Sequence, residues 1–183
     1  MAMNSLGLIE MTSIAAGMQA ADIMLKTANV ELVLSRTICS GKYMVLIGGD
    51  VAEVQSAVDA AASQIDFAII DTFVIANVHP DIFPALSGHS DVGELEALGI
   101  LESFSVASLI EGADAAVKSA NVRIIEIRLA MALGGKAFCT ITGEVSAVRS
   151  AIDSGALVIS EKGLLVNKVV IAQPRKELLS EMI

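Results

Sequence analysis

The residue best placed for chemistry is a single thiol. Cys39 stands in Thr37-Ile38-Cys39-Ser40-Gly41-Lys42, between two apolar runs, Val30 to Leu34 and Tyr43 to Ile47, that read as strands. Small residues and a glycine between strands mark a tight hairpin turn. Such a turn lies at an edge or tip of a domain, where a thiol is more accessible than in a core. The matching turn later in the chain, Met131-Ala132-Leu133-Gly134-Gly135-Lys136, has no cysteine. The other thiol, Cys139, alternates with Phe138 and Thr140 in an expected strand and reads as a buried structural residue. Two cysteines so far apart make neither a C-x-x-C zinc pair nor a disulfide framework.

Other constellations are missing. His79 and His89 fall in or near loops, with no serine or cysteine motif beside them, and read as solvated loop histidines. Gly134-Gly135-Lys136 lacks the upstream glycine spacing and the following Ser or Thr of a phosphate-binding loop, so it reads as a turn. Gly48-Gly49-Asp50 reads as a strand-to-helix turn with a cap. No acid–base or nucleophile pair is apparent, so the chain is not expected to be an enzyme.

The elements that position Cys39 occur twice. Leu6-Gly7-Leu8-Ile9-Glu10 returns as Leu98-Gly99-Ile100-Leu101-Glu102, and Lys26-Thr27-Ala28-Asn29-Val30 as Lys118-Ser119-Ala120-Asn121-Val122. Gly49-Asp50-Val51 matches Gly143-Glu144-Val145. A period of roughly ninety residues is a duplicated domain, not a solenoid repeat. The expected domains are residues 1–90 and 91–183, joined through Ser87-Gly88-His89-Ser90-Asp91-Val92-Gly93.

Each half reads as β-α-β-β-α-β. In the first, Leu6 to Met11 is a strand. Ser13 caps a helix carrying Ile14, Met18, Ala21 and Leu25 on one face, and Asn29 ends it. Val30 to Ile38 and Tyr43 to Gly48 form the hairpin. Asp50 caps a helix with Val51, Val54, Val58 and Ala61 facing the sheet, and Phe67 to Ala76 is the last strand. In the second half the elements are Leu98 to Ser103, a helix Val106 to Ala120, Val122 to Ala130, Lys136 to Gly143, a helix from Val145 to about Gly155, and Gly163 to Ala172. The tail from Pro174 to Ile183 is expected to form a short surface helix. The fold class is therefore α/β of the α+β kind: two tandem ferredoxin-like domains, each an antiparallel sheet with helices packed on it.

Composition sets limits. Of 183 residues 54% are hydrophobic and only 3% aromatic, which suggests thin, tightly packed elements with apolar surface buried between subunits. A net charge of −9 with no basic stripe argues against nucleic acid. No apolar run reaches the roughly 18 residues of a membrane span, and Met1-Ala2-Met3-Asn4 lacks the basic flank of a signal peptide. A soluble cytosolic protein, with no membrane partner, is the expectation. Lys26 and Lys118 each stand near the end of a first helix, where charge complements the helix dipole. Their repetition beside Asn29 and Asn121 makes an interface role an equal contender.

Taken together, the Leu-Gly-x-x-Glu strands, the Ala-Asp…Lys-x-Ala-Asn-Val segments, Ile38-Cys39-Ser40-Gly41 and the Gly-Asp-Val before the second helix resemble bacterial microcompartment shell proteins of the tandem-domain type. The likeness covers nearly the whole chain. It implies a homotrimer that mimics a hexamer, forming a flat tile that meets other shell proteins edge to edge in the microcompartment shell. It implies that Lys26, Asn29, Lys118 and Asn121 sit at tile edges. It also implies that Ile38, Cys39, Ser40 and Gly41 border a central pore with Leu133, Gly134 and Gly135 of the matching turn. The propanediol-utilisation branch of the family carries a cysteine at this position. By that likeness, one Cys39 per subunit would hold a [4Fe–4S] cluster on the three-fold axis, for electron transfer across the shell or delivery to encapsulated redox enzymes. Such clusters normally take about four thiolates, so three would leave one iron open to another ligand. The family's usual Pro-Arg-Pro-His after the last strand is Ala76-Asn77-Val78-His79 in one half and Ala172-Gln173-Pro174-Arg175 in the other. The edge contacts of that arginine are therefore not carried over.

Two other readings stay open at this point. A tile whose pore conducts small metabolites would leave Cys39 incidental. A ferredoxin-like regulatory module binding a small ligand between its halves would be a monomer or dimer rather than a sheet-forming trimer.

Overall fold

In the computed structural model, residues 3–88, 95–131 and 133–179 are described. His89, most of the expected linker and the last four residues of the tail lie outside them. The chain divides into two compact units, one of residues 1–80 with 130–135, the other of residues 81–129 with 136–183.

In the first unit, β1 (Ser5–Met11), β2 (Glu31–Ile38), β3 (Lys42–Gly49) and β4 (Ile69–Ala76) form an antiparallel sheet in the order β2-β3-β1-β4. Helices α1 (Ile14–Thr27) and α2 (Val51–Gln64) pack on the sheet. In chain order the next helix is α3 (Ile82–Leu86), which belongs to the second unit. There β5 (Ala97–Ser103), β6 (Arg123–Leu129), β7 (Ala137–Gly143) and β8 (Leu165–Ala172) repeat the sheet in the order β6-β7-β5-β8, with α4 (Val106–Ser119) and α5 (Val145–Glu161). A short α6 (Lys176–Leu179) follows β8, where the tail helix is expected. Both halves are thus ferredoxin-like, as the sequence pattern indicates.

Local chemistry accounts for the boundaries. Ser13 and Ser105 accept hydrogen bonds from the amides of Ala16 and Ser108, and Asp50 from that of Ala52, so α1, α4 and α2 each start on a side-chain cap. The repeated glycine of the first strand has a packing reason. A Cβ on Gly7 would fall 2.6 Å from Val54 Cγ1, and one on Gly99 would fall 2.7 Å from the side chains of Val148 and Ile152. The glycine therefore lets the second helix of each unit settle close to the sheet. The core of the first unit gathers Ile9, Met11, Val45 and Ile47 from the sheet against Ala20, Met24, Val54 and Ala57 from the helices. Each large side chain fully buried in this way contributes about 1.5–3 kcal/mol.

Four sequence expectations need correction. On α1 the buried residues are Ala16, Gly17, Ala20, Ala21 and Met24, whereas Ile14, Met18 and Leu25 are exposed. The helix lies so near the sheet that a Cβ on Gly17 would be 2.4 Å from the Tyr43 ring, so small residues take the inner face. Helix α5 does not stop near Gly155 but runs to Glu161. Gly155 is a contact glycine, since its Cβ would stand 2.5 Å from the Gly112 carbonyl oxygen on α4. Phe67 lies in a short 3-10 turn ahead of β4 and is exposed. Helix α3 was not anticipated, because two prolines and an aspartate obscure its short apolar pattern.

Candidate functional site

The β2–β3 hairpin is closed by a 3-10 turn over Cys39, Ser40 and Gly41. Ser40 (φ 66°) and Gly41 (φ 73°) both adopt left-handed backbone, which turns the chain within three residues. Ile38 is buried beneath the turn, Cys39 is half-buried, and Ser40 and Gly41 are exposed. The thiol therefore stands at a hairpin tip, and its backbone is fixed. The Cys39 amide donates a 2.7 Å hydrogen bond to the Ala130 carbonyl. Ala130 opens the 130–135 stretch that belongs to the same compact unit.

That stretch contains the other expected pore residues. Leu133 is half-buried, and Gly134 (φ 62°) and Gly135 (φ 88°) make the left-handed turn that leads into β7. Ile38, Cys39, Ser40, Gly41, Leu133, Gly134 and Gly135 are thus brought into one unit. The four expected edge residues follow the first helix of each unit or end it. Lys26 ends α1 with its Nζ 2.7 Å from Asp22 Oδ2, and Lys118 ends α4 with its Nζ 2.5 Å from Asp114 Oδ2. The Asn29 amide donates to Glu53 Oε2 at 2.8 Å, and Asn121 is exposed in the matching turn.

One feature of the turns escaped sequence reasoning. The lysine after each turn glycine reaches back to the glutamate of the first strand: Lys42 to Glu10 at 2.8 Å and Lys136 to Glu102 at 2.5 Å. The signal was present, since the repeated strand motif ends in glutamate and both turns end in Gly-Lys. His79 is half-buried in the turn after β4.

Neither Cys39 nor Cys139 is in a disulfide. Burial pushes the Cys139 thiol up to about 12, which keeps it protonated and inert. Among the described residues no three His, Cys, Asp or Glu side chains converge as a metal site within one chain. No helix among the described residues is long and apolar enough to cross a membrane.

The family model for the BMC domain matches twice, over residues 5–78 and 97–174. The chain belongs to the BMC domain family. Each BMC match spans one β-α-β-β-α-β sheet. Over 179 residues the chain is 41% identical to the bacterial microcompartment shell protein PduT of Citrobacter freundii, covering 98% of this chain and 97% of that one. It is 36% identical over 84 residues to the shell protein EutM of Salmonella typhimurium, which takes in 46% of this chain and 85% of EutM. A crystal structure of a microcompartment protein from Desulfitobacterium hafniense superposes with a TM-score of 0.93 at 47% identity, covering 98% of this chain and 99% of that one. This is a tandem-BMC, structural microcompartment shell protein of the PduT type.

Proposed function

We propose that this shell protein forms a homotrimeric, pseudohexameric tile whose central pore binds one [4Fe–4S] cluster through Cys39 of each subunit. The observation that carries the reading is the placement of Cys39. It is the chain's one cysteine outside the core, held at a hairpin tip by the Ala130 hydrogen bond, in one unit with the glycine turn 133–135. The donor set fits the group in kind, because iron–sulfur clusters take thiolates, and three copies would supply three. When bound, such a cluster would accept and release single electrons. The chain's own part is to fix the Cys39 backbone and to surround it with small residues that leave room at the tip. The tile would meet other shell proteins at its edges through Lys26, Asn29, Lys118 and Asn121, and could pass electrons to encapsulated redox enzymes.

The test is anaerobic. Wild type and Cys39→Ala are purified under argon and reconstituted with iron and sulfide. Iron is counted per trimer, and visible absorption and low-temperature EPR are recorded. Four irons per trimer in the wild type and none in the variant, with trimers intact in both, are expected. Equal iron in both proteins, or none in either, would overturn the cluster. In the latter case, intact sheets would leave a pore that conducts metabolites.

A further inference from the structure

One cleft in the second unit carries charges that its fold does not require. It lies between α5 and the edge strand β8, has a volume of about 220 Å³ and is lined by Arg149, Ile152, Asp153, Lys168, Val169 and Val170. Lys168 Nζ stands 2.6 Å from Asp153 Oδ1. Arg149 is exposed and lies one helical turn before Asp153, whose carboxylate the lysine has taken. Among the described residues the Arg149 guanidinium has no hydrogen-bonded or ion-paired partner. The rest of the lining is apolar, with Ile152 buried and Val170 half-buried.

The first unit has the same place without these cations. Strand register sets Thr72 where Lys168 stands, since Ile9 pairs with Thr72 and its repeat Leu101 with Lys168. Gln55 stands where Arg149 does, each four residues after the start of its helix. Its side-chain amide donates at 2.9 Å to Asp59, the counterpart of Asp153. Both units build the same four-stranded sheet, so the fold does without the two cations. Two cations against one carboxylate leave the cleft with one net positive charge. In a chain of net charge −9, such a spot draws anions that the rest of the surface repels.

We propose that this cleft binds a small organic monoanion, a carboxylate on a short aliphatic chain. Arg149 offers a planar fork of N–H donors that matches a carboxylate with two parallel hydrogen bonds. Lys168 donates one N–H to Asp153 and keeps two for the ligand. Ile152, Val169 and Val170 take the aliphatic chain out of water. The volume is below the roughly 300–1,000 Å³ of clefts for drug-sized ligands, so the chain is a few carbons long. One net positive charge suits a monoanion better than a phosphate dianion, which Asp153 would repel more strongly. The site lies wholly within the second unit. It goes beyond the shell role proposed above and depends on neither the trimer nor the cluster.

Methyl NMR on the full chain tests it. Isoleucine and valine methyls are labelled, and sodium butyrate is titrated with ionic strength held constant by sodium chloride. Saturable shifts centred on the methyls of Ile152, Val169 and Val170 are expected. Arg149→Gln and Lys168→Thr install the first unit's residues at exposed positions, so the rest of the methyl spectrum should stay unchanged. Each should raise the dissociation constant about tenfold or more, as loss of a charge-assisted hydrogen bond implies. Shifts that do not saturate, shifts centred elsewhere, or unchanged affinity in either variant would overturn the site. If n-butanol reproduces the shifts, apolar contact alone is binding. If inorganic phosphate binds as tightly, the cleft has no preference for a carboxylate. Either of those results also refutes the proposal.

Discussion

Lys42 Nζ lies 2.8 Å from Glu10 Oε1, tying the start of β3 to a carboxylate with only 5% of its side chain exposed. The lysine is about one-third exposed, so the pair is half in water. Removing the lysine leaves a buried carboxylate without its ammonium. Breaking a wholly buried pair costs about 3–5 kcal/mol, and partial exposure of the lysine reduces that. Lys42→Ala is expected to cost about 2 kcal/mol in urea unfolding. Its repeat, Lys136→Ala, should cost under about 1 kcal/mol, because Glu102 is 29% exposed and keeps water. Equal losses would show that burial of the glutamate does not set the cost.

Gly112 and Gly155 make the contact between α4 and α5. A methyl on Gly155 would press on the Gly112 carbonyl oxygen at 2.5 Å and on Leu101 Cδ1 at 2.7 Å. Backbone cannot swing aside as a side chain can. Gly155→Ala should therefore destabilise by about 3 kcal/mol, at the upper end for overpacking. Gly163→Ala is the control. It carries left-handed backbone (φ 69°) with nothing within 4 Å of an added Cβ, and should cost about 1–2 kcal/mol. Thermal midpoints of the two variants, measured side by side, check the order.

Tyr43 is buried, and its hydroxyl lies 3.0 Å from Ser35 Oγ across the β2–β3 pair. Tyr43→Phe removes that hydrogen bond while keeping the ring that supports Gly17. The expected loss is about 1 kcal/mol in chemical unfolding. A loss as large as that of a core truncation would mean that the ring itself had moved.

What the sequence revealed follows from its periodicity. The duplicated motifs placed the eight strands and the four long helices found among the described residues, because each strand is an apolar run closed by turn residues or a cap. Less legible was anything decided by closeness between elements. Gly155 looks like a helix stop until Gly112 is found opposite it. Ile14, Met18 and Leu25 form an orderly apolar stripe, yet Gly17 against Tyr43 decides which side of α1 meets the sheet. At the candidate site, the turn around Cys39 could be read from Ser40-Gly41. The Ala130 carbonyl that receives the Cys39 amide could not, because it lies 91 residues away in a loop without a matching signal.

The buried thiol on β7 gives the chain an alkaline weak point. Burial holds Cys139 protonated until about pH 12, while the unfolded chain's thiol ionises near its ordinary 9.0. Above pH 9 the unfolded state thus releases a proton that the folded state keeps. The contribution of this group to stability is complete below pH 9 and falls as pH rises toward 12, by about 1.4 kcal/mol per pH unit. Cys139→Val removes the titrating group and keeps an apolar side chain of similar size. Unfolding of both proteins at pH 7 and pH 10 should show wild type losing about 1 kcal/mol more than the variant over that interval. Parallel losses would mean that the strand opens enough for water to reach the thiol before the protein unfolds.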